Sequence, residues 1–181
     1  PILPLRNTVL FPGVVIPITA GRDKSIKLIN ETNQGNKVIG VVSQKEEAKE
    51  EPEIQDINRI GTVAQILRVL KMPDGNTTVI IQGKKRFELN EVITTDPYMT
   101  ATIQEVAEAR PARDNEEFKA IIDSIKEMAL EIIKDSPNIP SEAAFAIKNI
   151  ESTSFLVNFV SSNLNISVEE VVSQVAAPQG R

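Results

Sequence analysis

The spacing of apolar residues changes once along the chain, near residue 110, and this change constrains the fold more than any other feature. Before it, apolar residues alternate with polar ones or form short β-branched runs, which is typical of strands. After it, they recur every three or four residues, which is typical of amphipathic helices. The sequence therefore predicts an α+β chain, with a β-rich domain over residues 1–110 and a small helical bundle over residues 111–181.

The β-rich part is predicted to contain five or six strands and one helix. Strands are expected at residues 2–5, 14–18, 37–44 and 98–106 and on both sides of a turn at 73–76, and the helix at 21–35. Pro73, Gly75 and Asn76 favour that turn because proline presets one dihedral and glycine or asparagine accepts a positive one. Residues 83–86 are predicted to form a second turn. Strands of this number and length favour a closed or nearly closed β-barrel.

The segment PLRNTVLFPGVVIPI, residues 4–18, contains three prolines within an apolar run. Proline removes a donor from a strand ladder, so Pro12 and Pro17 favour a bent strand at an edge of the sheet. Gly13 allows the chain to turn at this point. We expect the Phe11–Pro12 corner to be exposed, and Arg6 to pair with a carboxylate or with carbonyl groups.

The helical part is predicted to begin after a short charged linker at residues 108–117. Apolar residues from 118 to 133 predict an amphipathic helix of about 20 residues, roughly 30 Å long. Shorter helices are predicted from Ser141, from Thr153 or Ser154, and from Ser167, which has capping-box spacing to Glu170. The last residues, VAAPQGR, are predicted to form a flexible tail.

Most catalytic chemistry is excluded because the chain has no cysteine and no histidine. Gly83-Lys84 lacks the upstream glycine of a phosphate-binding loop. The glutamates between residues 46 and 53 are interpreted as a solvated loop rather than an acid–base pair or a metal site. We therefore predict no catalytic residue, no metal and no bound cofactor.

Neither half of the chain has the basic excess that nucleic-acid binding requires. Residues 1–110 carry 14 basic and 14 acidic side chains, and residues 111–181 carry 6 and 11. An alternative is a nucleic-acid site in which Lys84, Lys85 and Arg86 bind phosphate groups and Phe87 stacks on a base. The preferred interpretation is a charged turn followed by a core phenylalanine, so we do not expect nucleic acid as a partner.

The first residue of the chain and the length of its apolar runs are used to predict its cellular location. The chain begins with Pro1 rather than methionine, so we interpret it as processed or excised from a longer protein. It has no secretory signal and no apolar stretch near the roughly 20 residues of a membrane span. We expect a cytoplasmic protein.

Surface binding is the function class that remains. Met72 and Pro73 are predicted at a hairpin tip, where a flexible methionine suits adaptable apolar contacts. Phe11, Pro12 and Val14 form a second turn rich in apolar groups. We predict that these five residues contact a bound partner, since together they could form an apolar patch.

Five ordered motifs resemble the amino-terminal domain of the ATP-dependent Lon proteases. They are PILPLRNTVLFPGVVIPI, GRDKSI, KVIGVVSQK, IGTVAQILRVLKMPDGN and VIIQGKKRFEL, and the resemblance extends from residue 1 to about residue 170. It implies a PUA-like β-barrel followed by a helical bundle. After NLNISVEE the family usually continues into a long charged helix, whereas this chain reads VVSQVAAPQGR.

The resemblance also implies a function. It implies a non-catalytic module that recognises unfolded, damaged or tagged proteins and supports a ring-shaped hexamer, while ATP, Mg²⁺ and the serine–lysine protease site belong to other parts of the family's proteins. Three other hypotheses stay open: a stand-alone binding or oligomerisation module, an RNA-binding module using Lys84–Arg86, and, least favoured, an enzyme.

Overall fold

The computed structural model describes residues 1–73, 75–107, 115–135, 144, 147–163 and 167–176, with side chains in the last range up to Val172. The chain separates into two compact units. The first unit combines Pro1–Glu108 with Asn158–Arg181, and the second is Ala109–Val157. This differs from the predicted division at residue 110, because the C-terminal segment groups with the β-rich part rather than with the other helices.

The first unit is built on a six-stranded sheet, which confirms the predicted α+β class. Its strands are β1 (Ile2–Leu5), β2 (Val15–Ala20), β3 (Val38–Gln44), β4 (Ile57–Lys71), β5 (Thr77–Thr94) and β6 (Thr100–Glu105). The order is β1-β3-β4-β5-β2, and β6 pairs with the far half of β5. Only the β1–β3 pair is parallel. Helix α1 (Asp23–Gln34) follows β2, as predicted.

The sheet curls so that its two ends approach each other. The backbone N–H of Ile2 in β1 donates to the carbonyl of Met99, next to β6, at 2.8 Å. Within the described residues no strand ladder joins β1 to β6, and the hydrogen bond from Ile2 reaches the residue just before β6. The buried side chains form two main apolar clusters, one including α1 and one centred on Phe87.

The hairpin turn at residues 73–76 was predicted correctly. Gly75 has a φ of 87°, a conformation that glycine adopts without steric cost. The N–H of Met72 donates to the carbonyl of Asn76 at 2.9 Å and closes the loop. The two longest strands, β4 and β5, are therefore joined directly.

The second predicted turn, at residues 83–86, is wrong. Strand β5 runs through this stretch without a break. Gly83 pairs with Ala64 and Lys85 pairs with Val63, so Lys84 is an extra residue in the ladder. Such a bulge bends a strand without ending it, which a run of charged residues cannot distinguish from a turn.

The Phe11–Pro12 corner is buried, contrary to the prediction that it is exposed. Phe11 and Val14 retain 3% and 7% of their accessible surface, and Pro12 is also buried. The N–H of Gly13 donates to the carbonyl of Gly83, and the N–H of Gly83 donates to the carbonyl of Val14, both at 2.9 Å. The corner is thus tied to the sheet by backbone hydrogen bonds.

The C-terminal segment covers the same corner. The side-chain amide of Asn158 donates to the carbonyl of Pro12 at 3.2 Å and accepts a hydrogen bond from Arg86, also at 3.2 Å. Val171 packs with Phe11 and Val14 in one apolar cluster. These contacts explain why residues beyond 158 belong to the first unit.

Pro17 lies in β2, which pairs only with β5 among the described strands. Starting from the hydrogen-bonded Val14–Gly83 pair, the antiparallel alternation places Pro17 and Ile80 in a non-hydrogen-bonded pair. The missing N–H of Pro17 therefore faces away from β5. This agrees with the prediction that proline marks an edge of the sheet.

The acidic loop after β3 is held by ion pairs at its surface. Arg6 lies 3.0 Å from Glu50, as predicted for a carboxylate partner, and Lys24 lies 3.4 Å from Glu51. Lys49 lies 2.6 Å from Asp56, which also accepts the N–H of Glu53 at 2.7 Å. The hydrogen bond from Lys49, followed by that from Glu53, lowers the pKa of Asp56 below its ordinary value of 3.8.

The lowered pKa of Asp56 makes the stability of the loop dependent on pH. Because the folded state favours the carboxylate, its contribution is complete above about pH 4 and is lost as the pH falls through the folded pKa. We expect wild type to unfold at higher urea concentration than Asp56→Asn at pH 6, and the difference to shrink below pH 4. A difference that stays constant down to pH 2.5 would contradict this account.

The second unit contains helix α2 (Glu116–Asp135), which confirms the predicted helix at 118–133. The side chain of Asn115 caps it by accepting the N–H of Phe118 at 2.9 Å. The predicted linker lies mostly outside the described residues. So does most of the helix predicted from Ser141, of which residues 144, 147 and 148 are described and helical.

Two further helices follow. The boundary between the units falls inside α3 (Thr153–Ser162), and α4 (Val168–Ala176) begins at the predicted capping box, in which Ser167 and Glu170 exchange hydrogen bonds. The end of the predicted tail, residues 177–181, lies outside the described residues. No described helix is long and apolar enough to cross a membrane.

Candidate functional site

The outer face of the β2–β5–β4 sheet carries the candidate site. Directly opposite residues of antiparallel strands project from the same face. Ile80 of β5 stands between Pro17 of β2 and Arg68 of β4, and Thr78 stands between Thr19 and Leu70. The hydroxyl groups of Thr19 and Thr78 lie 3.3 Å apart, which agrees with this shared face.

Large apolar side chains are exposed on this face near the hairpin tip. Leu67, Leu70 and Met72 retain 50%, 41% and 44% of their accessible surface. Leu67 and Arg68 together oppose Ile80, because the ladder shifts register between Ile66 and Arg68. The bulge adds Leu67 to the face. We call Pro17, Leu67, Leu70, Met72 and Ile80 the hairpin surface.

The hairpin surface rests on a packed core. Ile66, Val79 and Ile81 alternate with its residues along the same strands and are buried on the inner face. The exposed side chains are therefore presented from backbone that core packing and ladder hydrogen bonds fix in place. Arg68 is exposed beside them. The arrangement suits contact with apolar groups, because the backbone of the surface is fixed while its exposed side chains can change their rotamers.

The structure separates the five predicted contact residues into two groups. Met72 and Pro73 are exposed at the hairpin tip, where the sequence placed them. Phe11, Pro12 and Val14 are buried beneath the C-terminal segment and cannot meet a partner in this arrangement. The two groups do not form one patch.

Sequence reasoning missed Leu67, Leu70, Ile80 and Pro17 as members of this surface. With Ile66 taken as inward, strict alternation would have placed Leu70 inward and Val69 outward, the reverse of what the structure shows. The register shift at Leu67 breaks that alternation, so the pattern of apolar residues near the tip gives no consistent face.

The basic stretch proposed for RNA binding is arranged differently. Phe87 is fully buried, so it cannot stack on a base. Lys85 lies 2.9 Å from Glu105, and Arg86 donates to Asn158. Phe87 is thus a core residue, as the preferred interpretation of the sequence stated, whereas the charged residues before it lie in strand β5 and not in a turn.

A cleft of about 800 Å³ lies between β1, the start of α1, the acidic loop and the turn before β6. Its floor is apolar and includes Leu3, Leu28 and Met99. Its rim is polar, and burial lowers the pKa of Arg22 there. Among the described residues, no group of three or more acidic side chains is placed to hold a metal ion.

Comparisons with known proteins agree with this architecture. A family model described as the ATP-dependent protease La (LON) substrate-binding domain matches residues 1–173. The chain is 72% identical over 170 residues to a Lon protease of Flavobacterium johnsoniae, a match that covers 94% of the chain and 21% of that protein. It is 50% identical over 170 residues to a Lon protease of Cytophaga hutchinsonii, with the same coverage of 94% and 21%.

Solved structures give the same fold. The N-terminal domain of a Mycobacterium avium complex Lon protease matches with a TM-score of 0.72 at 20% identity, covering 91% of the chain and 82% of that domain. A Lon N-terminal domain protein from Xanthomonas campestris matches with a TM-score of 0.56 at 17% identity, covering 72% of each chain. The chain spans about a fifth of the length of the curated relatives that it matches. Since the family model covers almost the whole sequence, the chain belongs to the family of Lon substrate-binding domains.

Proposed function

We propose that this chain binds exposed apolar segments of unfolded or damaged proteins and delivers them to the ATPase and protease parts of a longer protein. The hairpin surface carries this proposal. Leu67, Leu70 and Met72 are all more than two-fifths exposed on one face of a sheet whose other face is core. An unfolded chain offers apolar side chains that the native fold would bury.

The chemistry of the surface suits partners that share hydrophobicity rather than sequence. Fully burying an exposed Leu or Met side chain contributes about 1.5–3 kcal/mol, and side chains that are already about half-buried contribute part of this. A few such contacts give binding that is weak and easily released, as transfer to a second site requires. Methionine adapts its shape to different partners, and a surface without fixed polar contacts discriminates little among them.

Substituting the hairpin surface tests the proposal. We expect Leu70→Ser with Met72→Ser to weaken binding of a permanently unfolded model protein by about tenfold or more, because two apolar contacts are lost. Fluorescence anisotropy of the labelled unfolded protein measures the change.

The matched control is Ile93→Ser with Ile103→Ser, which removes two exposed apolar side chains from β5 and β6. This pair should leave the affinity within about twofold. Equal losses in both double variants would show that general surface hydrophobicity, not the hairpin surface, determines binding. Wild-type protein that binds no unfolded protein would refute the proposal.

A role in hexamer assembly, a cytoplasmic location and the use of ATP and Mg²⁺ elsewhere in the longer protein belong to the same proposal and are supported by family membership. Sedimentation of the purified chain at rising concentration tests the first of these. Self-association without binding of unfolded protein would favour the alternative of an oligomerisation module.

A further inference from the structure

Helix α2 of the second unit has an apolar face wider than the part that is buried. Ile122 is buried, and Phe118, Ile125, Ala129 and Ile133 are half-buried on the same side. Beside them Ile121, Met128 and Ile132 retain 50%, 55% and 63% of their accessible surface. These three residues lie on one line along the helix. We call them the α2 stripe.

Carboxylates border each residue of the α2 stripe. Residues three or four positions apart are neighbours on a helix surface. Glu117 precedes Ile121 by four positions, Glu131 follows Met128 by three, and Asp135 follows Ile132 by three. All three carboxylates are exposed, and none forms a salt bridge with another described residue.

The lysines of α2 lie elsewhere. None of them is three or four positions from a residue of the stripe. The separations of Lys119, Lys126 and Lys134 from the stripe residues are either two positions or at least five. Lys126 instead donates to the carbonyl of Ile150 at 3.1 Å. The charged side chains of α2 that border the stripe are therefore all acidic.

We propose that the α2 stripe is a second binding site, for polypeptide segments that carry lysine or arginine next to apolar residues. This inference rests on the proposed function and adds a charge preference to it. Apolar side chains of the segment bury Ile121, Met128 and Ile132, and its cations pair with the bordering carboxylates.

The dimensions and the charge of the stripe select this occupant. From Ile121 to Ile132 the helix rises about 16 Å, the length of an extended segment of about five residues. A second copy of the chain is disfavoured, because pairing two stripes would place carboxylates of like charge against each other.

Two synthetic peptides with the same apolar residues test the preference, one flanked by lysines and one by glutamates. We expect the full 181-residue chain to bind the lysine peptide at least about tenfold more tightly at low salt, and the ratio to fall as salt rises. The triple variant Glu117→Lys, Glu131→Lys, Asp135→Lys should reverse the preference.

The control reverses three other carboxylates of α2 that are exposed and do not border the stripe: Glu116→Lys, Asp123→Lys and Glu127→Lys. It has the same net charge as the first triple variant, so long-range electrostatics are matched. We expect it to retain the preference for lysine. Circular dichroism establishes that both variants keep their helix.

Two outcomes separate this inference from the proposed function. If the chain binds unfolded protein but shows equal affinity for both peptides, or if both triple variants lose the preference alike, the α2 stripe is not the site and the proposed function stands. If the chain binds neither the unfolded protein nor either peptide, the proposed function itself is refuted. The triple variant Ile121→Ser, Met128→Ser, Ile132→Ser should abolish lysine-peptide binding and spare the binding that depends on Leu70 and Met72.

Discussion

Replacing Gly83 with alanine should destabilise the chain by roughly 3 kcal/mol or more, since it forces extra volume into a packed site. A Cβ at this position would lie 2.2 Å from the carbonyl oxygen of Phe11 and 2.9 Å from its carbonyl carbon. Both are backbone atoms, so no side-chain rotation relieves the clash. Moving the Phe11–Val14 corner away would break its two hydrogen bonds to Gly83.

Urea unfolding measures the effect, and Gly75→Ala is the control. Gly75 has a positive φ, but a Cβ there meets no atom within 4 Å. We expect this control to cost about 1 kcal/mol, from backbone strain alone. Equal unfolding midpoints for the two variants would mean that the corner does not pack on Gly83 as described.

Phe87→Ala should cost about 3–5 kcal/mol, the range for removing a fully buried aromatic side chain. Phe87 has no accessible surface and lies beside two glycines, Gly61 of β4 and Gly40 of β3. A Cβ at Gly61 would lie 2.6 Å from its ring, and one at Gly40 would lie 3.1 Å from it. The two glycines leave the space that the ring fills.

The variant Phe87→Leu distinguishes two contributions to the loss of stability, the cavity left by the missing volume and the loss of the aromatic shape. Leucine refills much of the volume, so we expect this variant to lose less than half as much stability as Phe87→Ala. Calorimetric unfolding compares the two. A loss below about 1.5 kcal/mol for Phe87→Ala would show that the ring is not a central part of the core.

Local sequence signals predicted local structure well. The turn at Gly75 and Asn76, helix α1 before Gly35 and the Ser167–Glu170 capping box depend on residues a few positions apart, and all three were found. Apolar periodicity also identified α2, because one uninterrupted amphipathic pattern covers its whole length.

The failures have one physical cause, which is contact between distant parts of the chain. The Phe11–Pro12 corner looks exposed in sequence because the groups that bury it, Gly83 and Asn158, lie more than 70 residues away. Of the five residues of the hairpin surface, the sequence pointed only to Met72, because its exposure depends on the local turn. The exposure of Leu67 and Leu70 depends on the register in which β4 pairs with β5. A bulge shifts that register, so the periodicity of the sequence does not predict it.

The first unit has a consequence for synthesis, because it joins both ends of the sequence. During translation the β-rich part leaves the ribosome well before Val171, with about 60 residues still to be made. At elongation rates of about 5–20 residues per second, this interval lasts roughly 3 to 12 seconds. During that time Phe11 and Val14 lack their cover, so the nascent domain itself presents an apolar surface of the kind that its mature form is proposed to capture.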